Sequence, residues 1–276
     1  MTPGSIRELL LGPGLSLVDD PGVNRGKTGG MDKGLFLRAG ERLCAGESAG
    51  IGLPVLRAGR RTVFPACRET RFVDDRTMVK TFHMEKTLRW RLGRVKAPLL
   101  LADALGLLAD GYMRFPAFQQ ALLGIRGTLF AALRMSSFPE TGEHYGTCTV
   151  ISQACPGELL LRVDGSRLEG RGRLIVLNEL QGELFSRLRR GRVVREGREI
   201  PAWRKSSFEH SLESPLLGLG VALAPGPDCT PGDYRLFCGR ELGRMLDWAG
   251  MALTCRKPVF SYRVRFFETG LPGGQA

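Results

Sequence analysis

Over residues 77–92 the chain alternates without a break. Counting every second residue puts Met78, Lys80, Phe82, Met84, Lys86, Leu88, Trp90 and Leu92 on one side, and Val79, Thr81, His83, Glu85, Thr87, Arg89 and Arg91 on the other. Successive side chains of a strand point to opposite faces, so this period of two predicts one long strand with an apolar face and a polar face. The lysine stems can lie along the apolar side with their ammonium groups turned outward. Such a strand rests one face on a core and presents the other to water or a ligand. Near the end of the chain the pattern recurs, with Phe260, Tyr262, Val264 and Phe266 alternating with Ser261, Arg263 and Arg265.

Shorter strands are expected at 55–56 and 62–64, joined through Ala58-Gly59, and at 145–152, 158–163, 171–177, 219–223 and 234–238. The 37 glycines and 16 prolines favour many short elements over a few long ones. Helices are expected only where the period lengthens. Residues 99–109 are apolar nearly all round, and Pro116 opens a stretch with Phe118, Leu122, Ile125, Leu129 and Leu133 at helical spacing. The first of these is far shorter than the roughly 20 residues a bilayer span needs, so the pair reads as an insertion packed on a sheet. A short amphipathic helix or extended edge is expected at 180–188, and a short helix at 240–249 with Leu242, Met245, Leu246 and Ala249 on one face.

This pattern predicts a mainly β fold, a large antiparallel β-sandwich of the supersandwich type with a two-helix insertion. A doubly wound parallel sheet would need a helix between most strands. The expected organisation is a flexible lead-in over 1–32, a single β-rich domain over 33–270 with the helical insertion at about 97–135, and a tail over 271–276. A chain of 276 residues is long enough to bury a substantial core.

The formal charge is +12, and only seven of the 40 basic residues are lysine. Guanidinium forks suit carboxylates, phosphates and sulfates, so the balance points to anionic partners. The densest basic run lies at 187–205 and includes Arg187, Arg189, Arg190, Arg192 and Arg195. A hairpin around Glu196-Gly197 is expected there. As a patch it supports an alternative function, a non-catalytic module for nucleic acid or another polyanion, although Trp203 is its sole aromatic for base stacking. The seven cysteines include no C-x-x-C pair and the chain has three histidines, so no metal site and no cofactor are expected. The N-terminal stretch carries Arg7 and Glu8, and its apolar runs are broken by Gly12-Pro13-Gly14, which is not the pattern of a signal peptide. A cytoplasmic protein without a transmembrane segment is expected, with cysteines serving as small buried fillers, and oligomeric state is left open.

Two motifs invite chemistry. Gly22-Val-Asn-Arg-Gly26-Lys27-Thr28 resembles a phosphate loop, but Pro21 occupies the place of the first required glycine and Gly29-Gly30 replaces the helix that should follow. Gly46-Glu-Ser48-Ala-Gly50 matches the nucleophile elbow and supports a second alternative, a serine hydrolase using Ser48 with His144 or His210 and Asp103 or Asp164. Pro54 and Ala58-Gly59 argue against the helix that such an elbow requires.

The polar face of the long strand is the natural place for a site. His83 and Glu85 stand two apart on it, beside Thr81, Arg89 and Arg91, and imidazole with carboxylate is an acid and base pair near neutral pH. Trp90 or Trp203 would stack on a sugar ring. Glu143-His144 and Glu209-His210 are further pairs, but sequence neighbours on a strand point to opposite faces. The run of strands resembles, at the level of fold, sandwich proteins that bind or modify sugars. The leading expectation is therefore a sandwich that binds, or processes through His83 and Glu85, a polyhydroxylated or anionic small molecule, foremost a saccharide.

Overall fold

A computed structural model describes residues 7–20, 32–46, 48–59, 61–92, 95–96, 135–170, 172–200, 203–242 and 247–269. In chain order the strands are β1 (Arg7–Gly12), β2 (Leu15–Asp19), β3 (Phe36–Ala39), β4 (Arg42–Cys44), β5 (Ile51–Ala58), β6 (Arg61–Phe72), β7 (Thr77–Leu92), β8 (Val95–Lys96), β9 (Met135–Thr141) and β10 (Thr147–Cys155). They continue with β11 (Glu158–Asp164), β12 (Arg173–Leu180), β13 (Arg187–Arg190), β14 (Val193–Glu196), β15 (Arg204–Ser206), β16 (His210–Ser214), β17 (Leu219–Pro225), β18 (Tyr234–Leu242), β19 (Asp247–Cys255) and β20 (Val259–Glu268). Strands β1 to β4 form a small antiparallel sheet. The rest form one sheet along the path β14-β13-β16-β17-β20-β11-β10-β7-β6-β5-β12-β19-β18-β15, with β8 and β9 both attached to β7. The fold is thus mainly β and antiparallel, as the alternation predicts.

This long sheet folds over on itself, so that β5, β12, β18 and β19 lie against β10, β11 and β20. Gly52 of β5 sits at φ +77°, which favours glycine, and lies so close to the opposing layer that a Cβ there would stand 2.7 Å from a Leu161 methyl of β11. The hydroxyl of Tyr262 on β20 donates to Asn178 Oδ1 on β12 at 2.8 Å, and the Tyr234 hydroxyl donates to the Ser261 carbonyl. Between the layers, Met78, Phe82 and Met84 of β7 pack with Cys148, Val150, Leu159, Leu161, Val163, Phe260, Tyr262 and Val264 in one continuous core. Burying apolar area at about 25 cal/mol per Å² is the main force that closes the two halves.

Several expectations are corrected. The segment expected as a flexible lead-in contains the β1–β2 hairpin, in which Leu9, Leu11, Leu17 and Val18 are buried and Leu10 is 67% exposed. Its cluster of Gly12, Pro13 and Gly14 is a turn, not a linker. The expected helix at 240–249 is replaced by β18 ending at Leu242 and β19 beginning at Asp247. Trp248 to Thr254 are buried on both faces of β19, so their apolar run lacks the alternation that marks a strand. Residues 180–188 are the end of β12, a turn and the start of β13, with Leu184, Phe185 and Leu188 buried. The basic hairpin turns at Gly191-Arg192, and Glu196-Gly197 instead leads into a short 3-10 turn over Gly197–Glu199. The expected two-helix insertion, apart from residue 135, lies outside the described residues, as does the tail. Among the described residues, no helix is long and apolar enough to cross a membrane.

Candidate functional site

Strand β7 pairs with β6 on one side and with β10 and β9 on the other, and its alternation holds over Met78 to Glu85. Met78, Lys80, Phe82 and Met84 are buried, while Val79, Thr81, His83 and Glu85 are half-buried on the opposite face. Residues directly opposite in a ladder share a face, so Thr81 lies between Thr149 and Glu69, and His83 between Thr147 and Ala66. This row of hydroxyls, an imidazole and carboxylates is the polar side of the sheet.

A third chain segment completes the cluster. Before β10 begins, residues 142–146 continue along β7 through three backbone bonds: the Gly142 amide to the Glu85 carbonyl at 2.8 Å, the Tyr145 amide to the Met84 carbonyl at 2.8 Å, and the Met84 amide to the Gly146 carbonyl at 3.0 Å. Gly146 sits at φ +89°, and a Cβ on it would lie 2.2 Å from the Arg167 carbonyl oxygen, so only glycine permits this entry into β10. The path brings exposed His144 over His83, with ring centroids 5.2 Å apart and planes tilted by 49°. One ligand atom from each of His83, Glu85 and His144 lies within 4.8 Å of the other two.

Two imidazoles and a carboxylate on an open face can donate and accept protons at one bound hydroxyl. They are also a donor set of the kind that holds a divalent transition metal with positions left for a ligand. The sequence, with its three histidines far apart in the chain, predicts no metal site; the structure gathers two of them. Gly142 and Gly146, which bracket His144, were the available signal for a segment able to turn a side chain off the ladder.

The other expected site residues are not part of this trio. Arg89, Trp90 and Arg91 belong to the part of β7 that pairs with β9, opposite Phe138, Ser137 and Ser136. Trp203 stacks on Trp248 with centroids 4.5 Å apart, which gives it an aromatic partner within the chain. His210 lies apart from the trio: its Nδ1 accepts from the Ser207 amide at 3.3 Å, and burial holds its pKa below the ordinary imidazole value. Ser48 is fully buried and its hydroxyl donates to the Ala45 carbonyl. The chain then enters β5 instead of a helix, so Gly46 to Gly50 is not a nucleophile elbow.

The expected polyanion patch is largely neutralised from within. Arg187 pairs with Glu196, Arg189 with Glu213 in a two-pronged contact, and Arg190 with Glu209 at 3.1 Å. Of that set, Arg192 and Arg195 on the exposed hairpin make no ion pair among the described residues.

A second polar cluster lies inside the fold. Lys80 and Asp19, both buried, form an ion pair at 2.6 Å, and Lys80 also donates to the Lys33 carbonyl at 3.3 Å. Nearby in the chain's interior, Glu179 Oε2 accepts from the Ala49 amide at 2.7 Å. Burial pushes its carboxyl up to about 7, against the opposing pull of that amide and of the Lys33 charge. Asn178 beside it accepts from Tyr262 and from the Gly52 amide and donates to the Met251 carbonyl.

No protein-family model matches the chain, and no curated protein matches it. Among solved structures, one from Escherichia coli K12, described provisionally as an aldose 1-epimerase, is similar at 9% identity and a TM-score of 0.45, over 96% of this chain and 99% of that one.

Proposed function

We propose that the open face of β7 binds a saccharide and that His83, Glu85 and His144 are the groups that hold and protonate or deprotonate it. The observation that carries this reading is the arrival of His144 from a separate segment beside His83 and Glu85, with ligand atoms of all three within 4.8 Å of one another. A sugar offers adjacent hydroxyls that donate and accept at once, which suits a carboxylate flanked by imidazoles. Thr81, Thr147 and Thr149 extend the face with further hydroxyl partners. In the enzymatic version His83 and Glu85 act as acid and base toward a bound sugar hydroxyl.

Thermal shift against a panel of neutral sugars and sugar acids tests the proposal, because a ligand that prefers the native state raises the midpoint. A salt-resistant shift is expected for one sugar or a few. His83→Ala, Glu85→Gln and His144→Ala should each weaken that binding on the order of tenfold, the loss of one charge-assisted hydrogen bond. A panel without any shift, or a shift that survives all three substitutions, contradicts the proposal.

A second reading is favoured by the same convergence: the trio holds a divalent transition metal ion. Cobalt(II) titration followed by visible absorption tests it, with one saturable site lost in His144→Ala expected, and no absorption change counting against it.

A further inference from the structure

Charge that is already paired has little left to offer a ligand, so the basic residues to examine are those that the fold leaves alone. Three of them meet in one place. A groove of about 520 Å³ opens where the connection between β11 and β12 faces the turn between β19 and β20, and it is lined by Arg173, Arg235, Arg256 and Lys257. Its walls are tied together by the Gly165 amide bonding the Pro258 carbonyl at 2.9 Å and the Arg256 amide bonding the Asp233 carbonyl at 3.1 Å. Asp233 is the sole acid in the lining among the described residues, and its carboxylate is engaged by the Thr230 amide at 3.1 Å and by Lys257 at 3.4 Å. Among the described residues no acidic side chain pairs with Arg173, Arg235 or Arg256.

We propose that this groove is a binding site for a small molecule carrying a phosphate or similar dianionic group. Three arginines that meet no acidic side chain among the described residues line one concavity, and guanidinium forks match the oxygens of such a group in two-pronged geometry. Gly170, where a Cβ would meet nothing within 4 Å, leaves its stretch of wall open, so a ligand can approach the backbone closely there. Leu168 and Leu174 give the floor an apolar stretch against which a ligand's body can rest. The volume lies in the range of small-molecule sites and suits a compact anion better than a nucleic-acid strand, which would follow an extended track. The site involves none of the residues of the β7 trio, so it stands whether or not that face binds sugar.

Isothermal titration with pyrophosphate as the probe, at about 50 mM and about 200 mM salt, tests the assignment. One saturable site per chain is expected. Arg235→Ala combined with Arg256→Ala should weaken it about tenfold or more, while Arg192→Ala combined with Arg195→Ala on the β13–β14 hairpin should change it by less than about twofold. Unchanged thermal midpoints in both double variants would confirm that the readout is binding, not folding. Absence of saturable binding overturns the proposal. So does equal weakening by the two pairs, which would mean that diffuse charge is responsible. Preference for heparin or short DNA over pyrophosphate, vanishing as salt rises, overturns it in favour of a polyanion surface.

Discussion

The two faces of β7 present the same kinds of group in opposite circumstances. On the inner face Lys80 is 3% exposed and is matched by Asp19 from β2 at 2.6 Å. On the outer face His83 and Glu85 are half-buried, one residue out of phase, and meet His144 on the open side of the sheet. An inward charge must find its partner within the protein, because leaving it unpaired costs several kcal/mol. An outward group, still reached by water, can exchange that water for a ligand. A shift of one residue along the strand thus separates a structural ion pair from a candidate site, and the accessible face is where function is proposed.

The largest effect should come from breaking the inner pair. Asp19→Ala leaves an ammonium group buried without its carboxylate and should destabilise the protein by about 3–5 kcal/mol in urea unfolding. Replacing both partners together, Asp19→Leu with Lys80→Met, should recover most of that loss. A single substitution costing under about 1 kcal/mol would place Lys80 in the same class as the outer residues.

Next comes Asn178, the inner polar residue that joins the two layers. Asn178→Ala orphans the Tyr262 hydroxyl and the Gly52 amide, and a loss of roughly 1–3 kcal/mol is expected per group so stranded. The measurement is again urea unfolding, with Tyr262→Phe as the partner variant; the two losses should not add, because both variants break one bond.

A smaller and pH-dependent effect belongs to Glu179. Its carboxyl is raised from 4.5 to about 7 by burial, so the folded state holds the proton more tightly than the unfolded one. Stability contributed by that proton is present below pH 4.5 and is lost as pH rises towards 7. Glu179→Gln should flatten this part of the stability profile and raise stability most above pH 7. An unchanged profile would show that the inner carboxyl does not carry the proton. The smallest effect is expected outside: His144→Ala should shift the thermal midpoint of the unliganded protein by no more than about 1 °C, in keeping with the ±0.5 kcal/mol typical of exposed positions.

Much of this arrangement was legible in the sequence where one face is wet. The alternations of β7 and β20 marked both strands, and the outer position of His83 and Glu85 followed directly. Strands buried on both faces hid, as β19 did, because periodicity vanishes when neither side meets water. The Asp19–Lys80 pair is invisible in the sequence for a different reason: a lysine on an apolar face reads as a stem lying along the surface, and its partner lies in a segment rich in glycine and proline that reads as a flexible lead-in. His144 joined the site through ladder bonds and a glycine at φ +89°, which are properties of the folded backbone. The basic run at 187–205 was visible as charge, but the glutamates of β14 and β16 that neutralise it become neighbours only through strand pairing.

The central claim is that His83 and His144 bind one ligand together while His210 does not. The chain's three histidines allow a direct test with imidazole Cε1–H resonances, assigned by single substitution and followed as the sugar giving the largest thermal shift is titrated. Two resonances should move and saturate at one ligand concentration, with the His210 signal stationary. If neither His83 nor His144 moves, or if His210 moves with them, the outer face of β7 is not the site.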